Sequence, residues 1–440
     1  MNNFVEKFQN KLQEILFPIA TKLNAEPHLS ALKDGMTITI PLTIIGGFAM
    51  LLAVPPVSAG LQPTNIFNEF LLAWQSWAAS NNAILMAPYN LTIGAISVYV
   101  VFAVAYALAK EYKMNGMSNA IIALFLFWLT SAAPITDEKL GLVTQMNNLG
   151  AVGMFYAIIV AFFTVEVMRF FMKKNIKIKM PDSVPPNVTA PFEALIPAAV
   201  LTIFMIVANA ICVSTSGGNL CALIFTILKP LMYASSSLPA VMLLSILLSL
   251  FWFFGIHGNN MIGGVLTPIT TANIALNAQF YITGEGAPAP LSGAFLTIFG
   301  NWMSYPAMMV CFFLVARSAT LKSIRKVALV PDIFNINEPL TFGVPIVMNV
   351  TVALPIMIVN VITCTIAYLV MSSGLVNSIH IVLPFTVPGV FNLFLSTGGD
   401  VRTFVLWAAL FAMDIVLLMP FIKIYDKQLL MEENNGESIE

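Results

Sequence analysis

The sequence predicts an all-α polytopic membrane protein of about ten transmembrane helices, with re-entrant hairpins and an N-terminal amphipathic helix. Three observations carry that prediction. Of 440 residues, 58% are hydrophobic and 9% are charged, against about 25% charged in an ordinary soluble domain, so the chain cannot clothe itself in a charged surface. Apolar runs long enough to cross a bilayer recur along it. Lys and Arg collect between those runs: Lys7, Lys11, Lys22 and Lys33 before the first, Lys110 and Lys113 after the second, and Lys173, Lys174, Lys177 and Lys179 after the fourth. Arg317, Lys322, Arg325 and Lys326 mark a later linker, and Lys423 and Lys427 the end. Such clusters belong on the cytoplasmic side, whereas the net charge of -1 decides nothing.

In order along the chain, residues 2–24 form the amphipathic helix, with Phe4, Phe8, Leu12, Ile15 and Leu16 near one face. Its charges do not fit a cleavable signal peptide. The first span covers 35–55 and stops at Pro55-Pro56, and the stretch 62–82 with Trp74 and Trp77 suits an outer interfacial segment. Spans two to four fall at 84–109, 117–135 and 148–171. Residues 172–190 join a basic cluster to Pro181, Pro185 and Pro186 and make a cytoplasmic linker. That linker separates an N-terminal region, 1–180, from a C-terminal region, 181–430, with an acidic, solvated tail at 431–440.

The second region is less regular. Apolar stretches lie at 191–213, 239–256, 292–316, 346–371 and 403–422. A shorter one at 218–236 counts as a span because the chain must return to the basic side by 317–326. Three further segments, 255–285, 331–345 and 377–400, are apolar enough to enter a bilayer yet rich in Gly, Pro and Asn. Irregular backbone is tolerated at that depth only where protein buries it or it lines a water-filled cavity. Such breaks are the best sequence pointer to a transporter's substrate site.

The second break, Asn335-Ile336-Asn337-Glu338-Pro339, places a carboxylate where lipid exposure would cost roughly 2.5 kcal/mol or more. The first opens with His257-Gly258-Asn259-Asn260. Glu338 with Asn335 and Asn337, and His257 with Asn259 and Asn260, supply donors and acceptors suited to a neutral, hydroxyl-rich solute, for which a sugar is the natural candidate. A plainer reading stands beside each: Glu338 as the cap of a half-helix with Pro339 at its first position, and His257 as a partner of a neighbouring carbonyl. Asp400 and Arg402 are expected to pair at a hairpin end. Cys212, Cys221, Cys311 and Cys364 read as packing residues, and no disulfide, metal, cofactor or nucleic-acid site is implied.

The segments Phe334-Asn335-Ile336-Asn337-Glu338-Pro339 and Phe342-Gly343-Val344-Pro345 resemble the signature of the membrane IIC component of bacterial phosphotransferase-system sugar permeases, of the lactose/cellobiose/chitobiose class. So do Trp252-Phe253-Phe254-Gly255-Ile256-His257-Gly258, Met180-Pro181-Asp182-Ser183-Val184-Pro185-Pro186 and Ser396-Thr397-Gly398-Gly399-Asp400, in order. The resemblance implies a homodimeric permease of the bacterial cell membrane, in which the first five spans, including 191–213, form the dimer contact and the later ones bind sugar. It places His257 and Glu338 on sugar-contacting positions, with Glu338 as the catalytic carboxylate near the hydroxyl that becomes phosphorylated. Phosphate comes from a cysteine of a cytoplasmic IIB protein, itself served by IIA. No soluble domain follows residue 430, so IIA and IIB are expected on separate chains.

The chain departs from that pattern where Pro384-Phe385-Thr386-Val387-Pro388-Gly389 replaces the family's Pro-Trp-Thr-Thr-Pro-Pro. Phe385 therefore joins Asn260, Asn335 and Asn337 among the expected sugar-contacting residues, but lacks an indole donor. The expected function is translocation of a disaccharide of the cellobiose or chitobiose type and its presentation for phosphorylation. An ion-coupled sugar transporter would use the same broken helices, and a sugar sensor would bind without transport. No P-loop is present to support ATP hydrolysis.

Overall fold

The computed structural model describes residues 25–55, 57, 62–178, 186–284, 286–344, 346–347 and 349–434. The amphipathic helix expected over 2–24, the centre of the linker and the last six residues of the acidic tail lie outside the described residues.

The first span is two helices, α1 (Pro27–Ile38) and α2 (Ile40–Ala53), bent by 41°. Pro41, in the first turn of α2, has no N–H to continue the ladder from α1. Thr39 at the bend donates its hydroxyl to Met36 O at 2.7 Å. Helix α3 (Ile66–Ser80) starts at Asn65, whose side chain accepts from Asn68 N. Its Trp74 indole donates to Leu52 O at 3.0 Å, which ties this segment to α2. The second span is also divided, into α4 (Asn82–Leu91) and α5 (Ile96–Glu111). Helix α6 (Gly116–Ser131) leads into a small antiparallel hairpin, β1 (Ile135–Asp137) and β2 (Gly141–Val143), and then α7 (Met154–Lys173).

After the linker come α8 (Pro186–Ser216), α9 (Leu220–Ser235) and α10 (Leu238–Phe253). One expectation is corrected next: residues 255–285 are not a helix-breaking segment throughout, because α11 runs unbroken from Gly258 to Thr283. Its glycines serve close approach, since a Cβ on Gly264 would stand 2.9 Å from Leu29 O of α1. The rest comprises α12 (Phe295–Ile298), α13 (Asn301–Val315), α14 (Ala319–Ile333), α15 (Glu338–Gly343), α16 (Val350–Ser372), α17 (Gly389–Ser396) and α18 (Arg402–Asn434).

Among the described residues, six helical segments are long and apolar enough to cross a bilayer, or seven with the bent α1–α2 pair; α6, α10 and part of α9 are apolar but shorter. One cluster of buried apolar side chains gathers Met36, Val100, Phe127, Met154 and Val165 from the first part of the chain. Two others gather residues of the second part, one around Met308, Leu340 and Ile356, the other around Val241, Phe299 and Leu393. All four cysteines are free and buried.

The end of α18 does more than trail into solvent. Asp426 accepts from Arg317 N, Ser318 N and the Ser318 hydroxyl at 2.7–3.0 Å. One turn or two further on, Glu433 accepts from Ala319 N and Thr320 N, both at 3.0 Å. Asp426 thus fixes the two residues just before α14 and Glu433 satisfies the first two N–H groups of the helix, so Glu433 is a cap, where composition suggested a solvated tail.

Candidate site at three capped breaks

The breaks anticipated in the sequence share one local design. Helix α10 ends in a left-handed Gly255, with Gly255 N bonded to Trp252 O and Ile256 N to Phe251 O. Helix α14 ends in a left-handed Asn335, with Asn335 N bonded to Asp332 O and Ile336 N to Pro331 O. Helix α17 ends in a left-handed Gly398, with Gly398 N bonded to Leu395 O and Gly399 N to Phe394 O. Each is a Schellman turn, which closes the last carbonyls of a helix on the chain itself. Glycine has no Cβ to oppose the left-handed conformation, and Asn is among the few other residues that adopt it readily.

Tertiary contacts bring the breaks together. A Cβ on Gly255 would lie 3.1 Å from Val347, so the first break abuts the segment that follows α15. The Asn335 amide donates to Phe385 O at 2.6 Å and Val387 O at 2.7 Å, which joins the second break to the third. Within the third, His380 N and Ile381 N both bond Ser396 O.

Glu338 is the first residue of α15 and is exposed, and Pro339 follows it, one position later than the sequence suggested. His257 is exposed just before α11, its ring 4.6 Å from that of Trp252. Asn260 lies in the first turn of α11, and its side chain is outside the described residues. Asn335 spends both amide hydrogens on the third break, so only its oxygen remains for a ligand. Asn337 is 8% exposed; its amide approaches Asn301 O at 3.5 Å, and among the described residues its oxygen has no partner. Phe385 is 60% exposed.

Asp400 and Arg402 form the expected local pair, through two bonds of 2.8 Å. His380 is fully buried, stacked on Tyr281 with 4.0 Å between ring centroids and bonded through Nδ1 to Ser378 O. It packs inside the third break, and among the described residues its Nε2 has no partner.

Reading by motif missed a second set of polar groups. Asn360 in α16 donates to Ser249 Oγ of α10 and to Asn301 Oδ1 of α13, both at 3.1 Å. Beside them a cavity of about 260 Å³ lies between α1–α2, α11 and the third break, with Thr39, Thr43, Thr267, Thr270, Asn392 and Ser396 among its walls. Hydroxyls and carboxamides make up its polar lining, and among the described residues that line it there is no Asp, Glu, Lys or Arg. That chemistry suits an uncharged polyol better than an ion.

Comparison with known proteins agrees with this geometry. The family model for the phosphotransferase system EIIC component matches residues 33–360. The lichenan permease IIC component of Bacillus subtilis is 33% identical over 449 residues, covering 99% of this chain and 97% of that one. The cellobiose-specific EIIC component of Geobacillus stearothermophilus is 31% identical, covering 99% and 98%. Among solved structures, the transporter ChbC, the IIC component from the N,N'-diacetylchitobiose-specific phosphotransferase system, superposes with a TM-score of 0.85 at 30% identity, covering 97% of this chain and 100% of that one. A chain with these capped breaks, this uncharged cavity and likeness along its whole length belongs to the EIIC family, the integral membrane permease components of the phosphotransferase system.

Proposed function

We propose that this permease takes up a disaccharide of the cellobiose or chitobiose type, binds it where the three breaks meet, and presents it to a separate cytoplasmic IIB protein for phosphorylation. The observation that carries the reading is the convergence of three Schellman-capped breaks near a largely apolar cavity whose polar groups are hydroxyls and carboxamides. The relatives named for lichenan, cellobiose and diacetylchitobiose support the substrate class. A lactose-specific relative, from Streptococcus mutans, is an EIICB component, 29% identical over 96% of this chain and 73% of its own length, which supports pairing with a IIB unit.

In this reading Glu338 accepts a hydrogen bond from the hydroxyl to be phosphorylated and takes its proton as phosphate arrives. Such general-base help is worth on the order of 10²–10⁴ in rate. His257, steadied by Trp252, contacts a ring hydroxyl, and Phe385 offers an apolar face. Ten crossings fit best if α11 crosses and α9 does not. Asn219, before α9, donates to Ser131 O at the end of α6, and Ser236, after α9, accepts from Asn273 of α11. Ala275 and Ala278 of α11 cluster in turn with Ala151, which precedes α7. Both ends of α9 thus stay near the same side. The first five crossings form the dimer contact and the remainder the sugar-binding region.

Binding of cellobiose, diacetylchitobiose and lactose to the purified protein, followed by IIB-dependent phosphorylation, tests the reading. Glu338→Gln should retain sugar binding and lose phosphorylation by at least about a hundredfold, and His257→Ala should weaken binding. Full phosphorylation of the Gln variant removes the base role. Uptake of unmodified sugar driven by an ion gradient would select the ion-coupled alternative.

A further inference from the structure

A second cavity, of about 320 Å³, lies between α1, α10 and α11 and shares only Leu266 with the lining of the cavity near the breaks. That volume is in the usual range for a ligand site, roughly 300–1,000 Å³. Its walls include Leu29 of α1, Leu243, Leu244 and Leu247 of α10, and Val265 and Ile269 of α11; among the described residues that line it the polar ones are Ser30, Lys33 and Ser235. It can be entered from the side, because Leu243 and Val265, on two of its walls, are 57% and 56% exposed. An apolar space stays dry and takes apolar ligands, and in a bilayer the apolar ligand at hand is an acyl chain. The polar groups narrow the choice of lipid. Ser30 and Lys33 stand one turn apart on α1. The stem of Lys33 lies against α11, its Cγ 3.8 Å from where a Cβ on Gly263 would stand, while its partly exposed ammonium comes no nearer than 3.9 Å to Asp34. Such a lysine lays its carbons on apolar surface and keeps its charge at the interface. The Ser30 hydroxyl donates at 3.3 Å to exposed Glu111, the last residue of α5, which is in none of the ion pairs among the described residues. Lys33 and Lys110 belong to basic clusters of the cytoplasmic side, so this rim stands at the inner membrane surface.

We propose that this groove holds one phosphatidylethanolamine of the inner leaflet, with an acyl chain in the cavity, the phosphate on Lys33 and the ammonium on Glu111. Each part of the lipid meets its counterpart. Phosphate oxygens accept from the Lys33 ammonium, and the ethanolamine N–H groups donate to the Glu111 carboxylate, so both headgroup charges are paired. Phosphatidylglycerol supplies the same chain and phosphate but turns a neutral glycerol toward Glu111, and so forgoes one of the two pairs. A free phosphate lacks the chain that matches the apolar walls. The bound chain packs beside the close approach of Gly264 to Leu29, between a helix of the first part of the molecule and two of the second.

The test is native mass spectrometry of the full chain, taken into mild detergent from lipid discs of equimolar phosphatidylethanolamine and phosphatidylglycerol. The wild type should keep a lipid on each protomer and favour phosphatidylethanolamine about fivefold, the effect of one interfacial charge. Glu111→Gln should lower phosphatidylethanolamine to the level of phosphatidylglycerol. Lys33→Gln should lower both lipids by a similar factor and leave the preference in place. Val265→Trp, which sets an indole in the opening, should lose both; if gel filtration shows that variant to be misfolded, Leu243→Trp blocks the cavity from the other wall. The inference is overturned if the wild type keeps neither lipid or keeps the two equally, if Glu111→Gln preserves the preference, or if a folded Trp variant retains lipid as the wild type does. It is also overturned if removal of residues 2–24 raises the amount retained, which would give the cavity to that segment, or if only monomers carry lipid, which would give it to a second copy. Disaccharide binding should be unchanged in the Lys33 and Glu111 variants, so the permease reading stands or falls separately.

Discussion

Asn335 performs two separable tasks, and substitution can take them apart. It adopts a left-handed backbone, φ 62°, to close the Schellman turn of α14, and its amide ties the second break to the carbonyls of Phe385 and Val387. Asn335→Gly keeps the backbone and removes the two bonds. At about 1 kcal/mol for each net hydrogen bond, the expected loss is about 2 kcal/mol, or more where the abandoned carbonyls stay dry. Asn335→Ala removes the same bonds and adds a Cβ to a left-handed position, which costs roughly 1–2 kcal/mol more. The expected order of stability is therefore wild type, Gly, then Ala, measured by reversible denaturation in mixed micelles. Sugar affinity should fall in both variants by a similar factor, because both release Glu338 from the third break. Equal stability of the Gly and Ala variants would refute the backbone half of the reasoning. Wild-type stability in the Gly variant, with sugar binding lost, would refute the tether and make Asn335 a direct ligand.

Three further outcomes follow from the same geometry. Gly255→Ala puts a Cβ at φ 72° and 3.1 Å from Val347, so it should destabilise by roughly 1–2 kcal/mol and reduce sugar affinity, checked by thermal unfolding and titration. Asp426→Ala leaves Arg317 N, Ser318 N and the Ser318 hydroxyl without their acceptor at a site 4% exposed, at a cost of roughly 2–3 kcal/mol, and should speed amide exchange at the start of α14. In the β1–β2 turn, hydrogen bonds from Leu140 N and Lys139 N hold Asp137 below the usual carboxylate value of 3.8. Because the folded value is the lower one, the turn's extra order is complete above 3.8 and disappears as pH falls through the depressed value. Hydrogen exchange at Lys139 and Leu140 should rise relative to the rest of the hairpin below that point, and Asp137→Asn should abolish the pH dependence.

Composition and basic clusters made the membrane class legible, and Gly, Pro and Asn located the three breaks, because a turn that needs positive φ leaves its mark locally. Long-range geometry left no such mark. Asn335 looked like a ligand since its partners, Phe385 and Val387, lie 50 residues or more away in sequence. Gly258, Gly263, Gly264 and Pro268 suggested a broken segment, yet α11 is continuous. Glycine that admits a neighbouring backbone is indistinguishable in sequence from glycine that ends a helix. The hairpin at 135–143 was too short to show period-two patterning. Asn301 and Asn360 are single amides in apolar runs and belong to no motif; only the bond between them reveals a network.

The shared design of the breaks has a consequence for how an empty permease survives in a membrane. A helix interrupted at depth exposes carbonyls that lipid cannot satisfy, and each orphan costs several kcal/mol. If substrate supplied the missing bonds, the site would be unstable whenever it was vacant, and a transporter is vacant once in every cycle. Schellman turns at Gly255, Asn335 and Gly398 bond those backbone groups internally, so the main chain is satisfied with or without sugar. Recognition then falls to side chains. Among the described residues the carboxamide oxygen of Asn337 is buried without a protein partner, while Glu338, next to it in sequence, stands exposed and can be wetted between substrates. An orphaned side-chain oxygen can borrow a water at small cost and surrender it to a hydroxyl. Backbone rigidity and substrate selectivity are in this way assigned to different atoms. Loss of a Schellman residue should therefore damage folding and binding together.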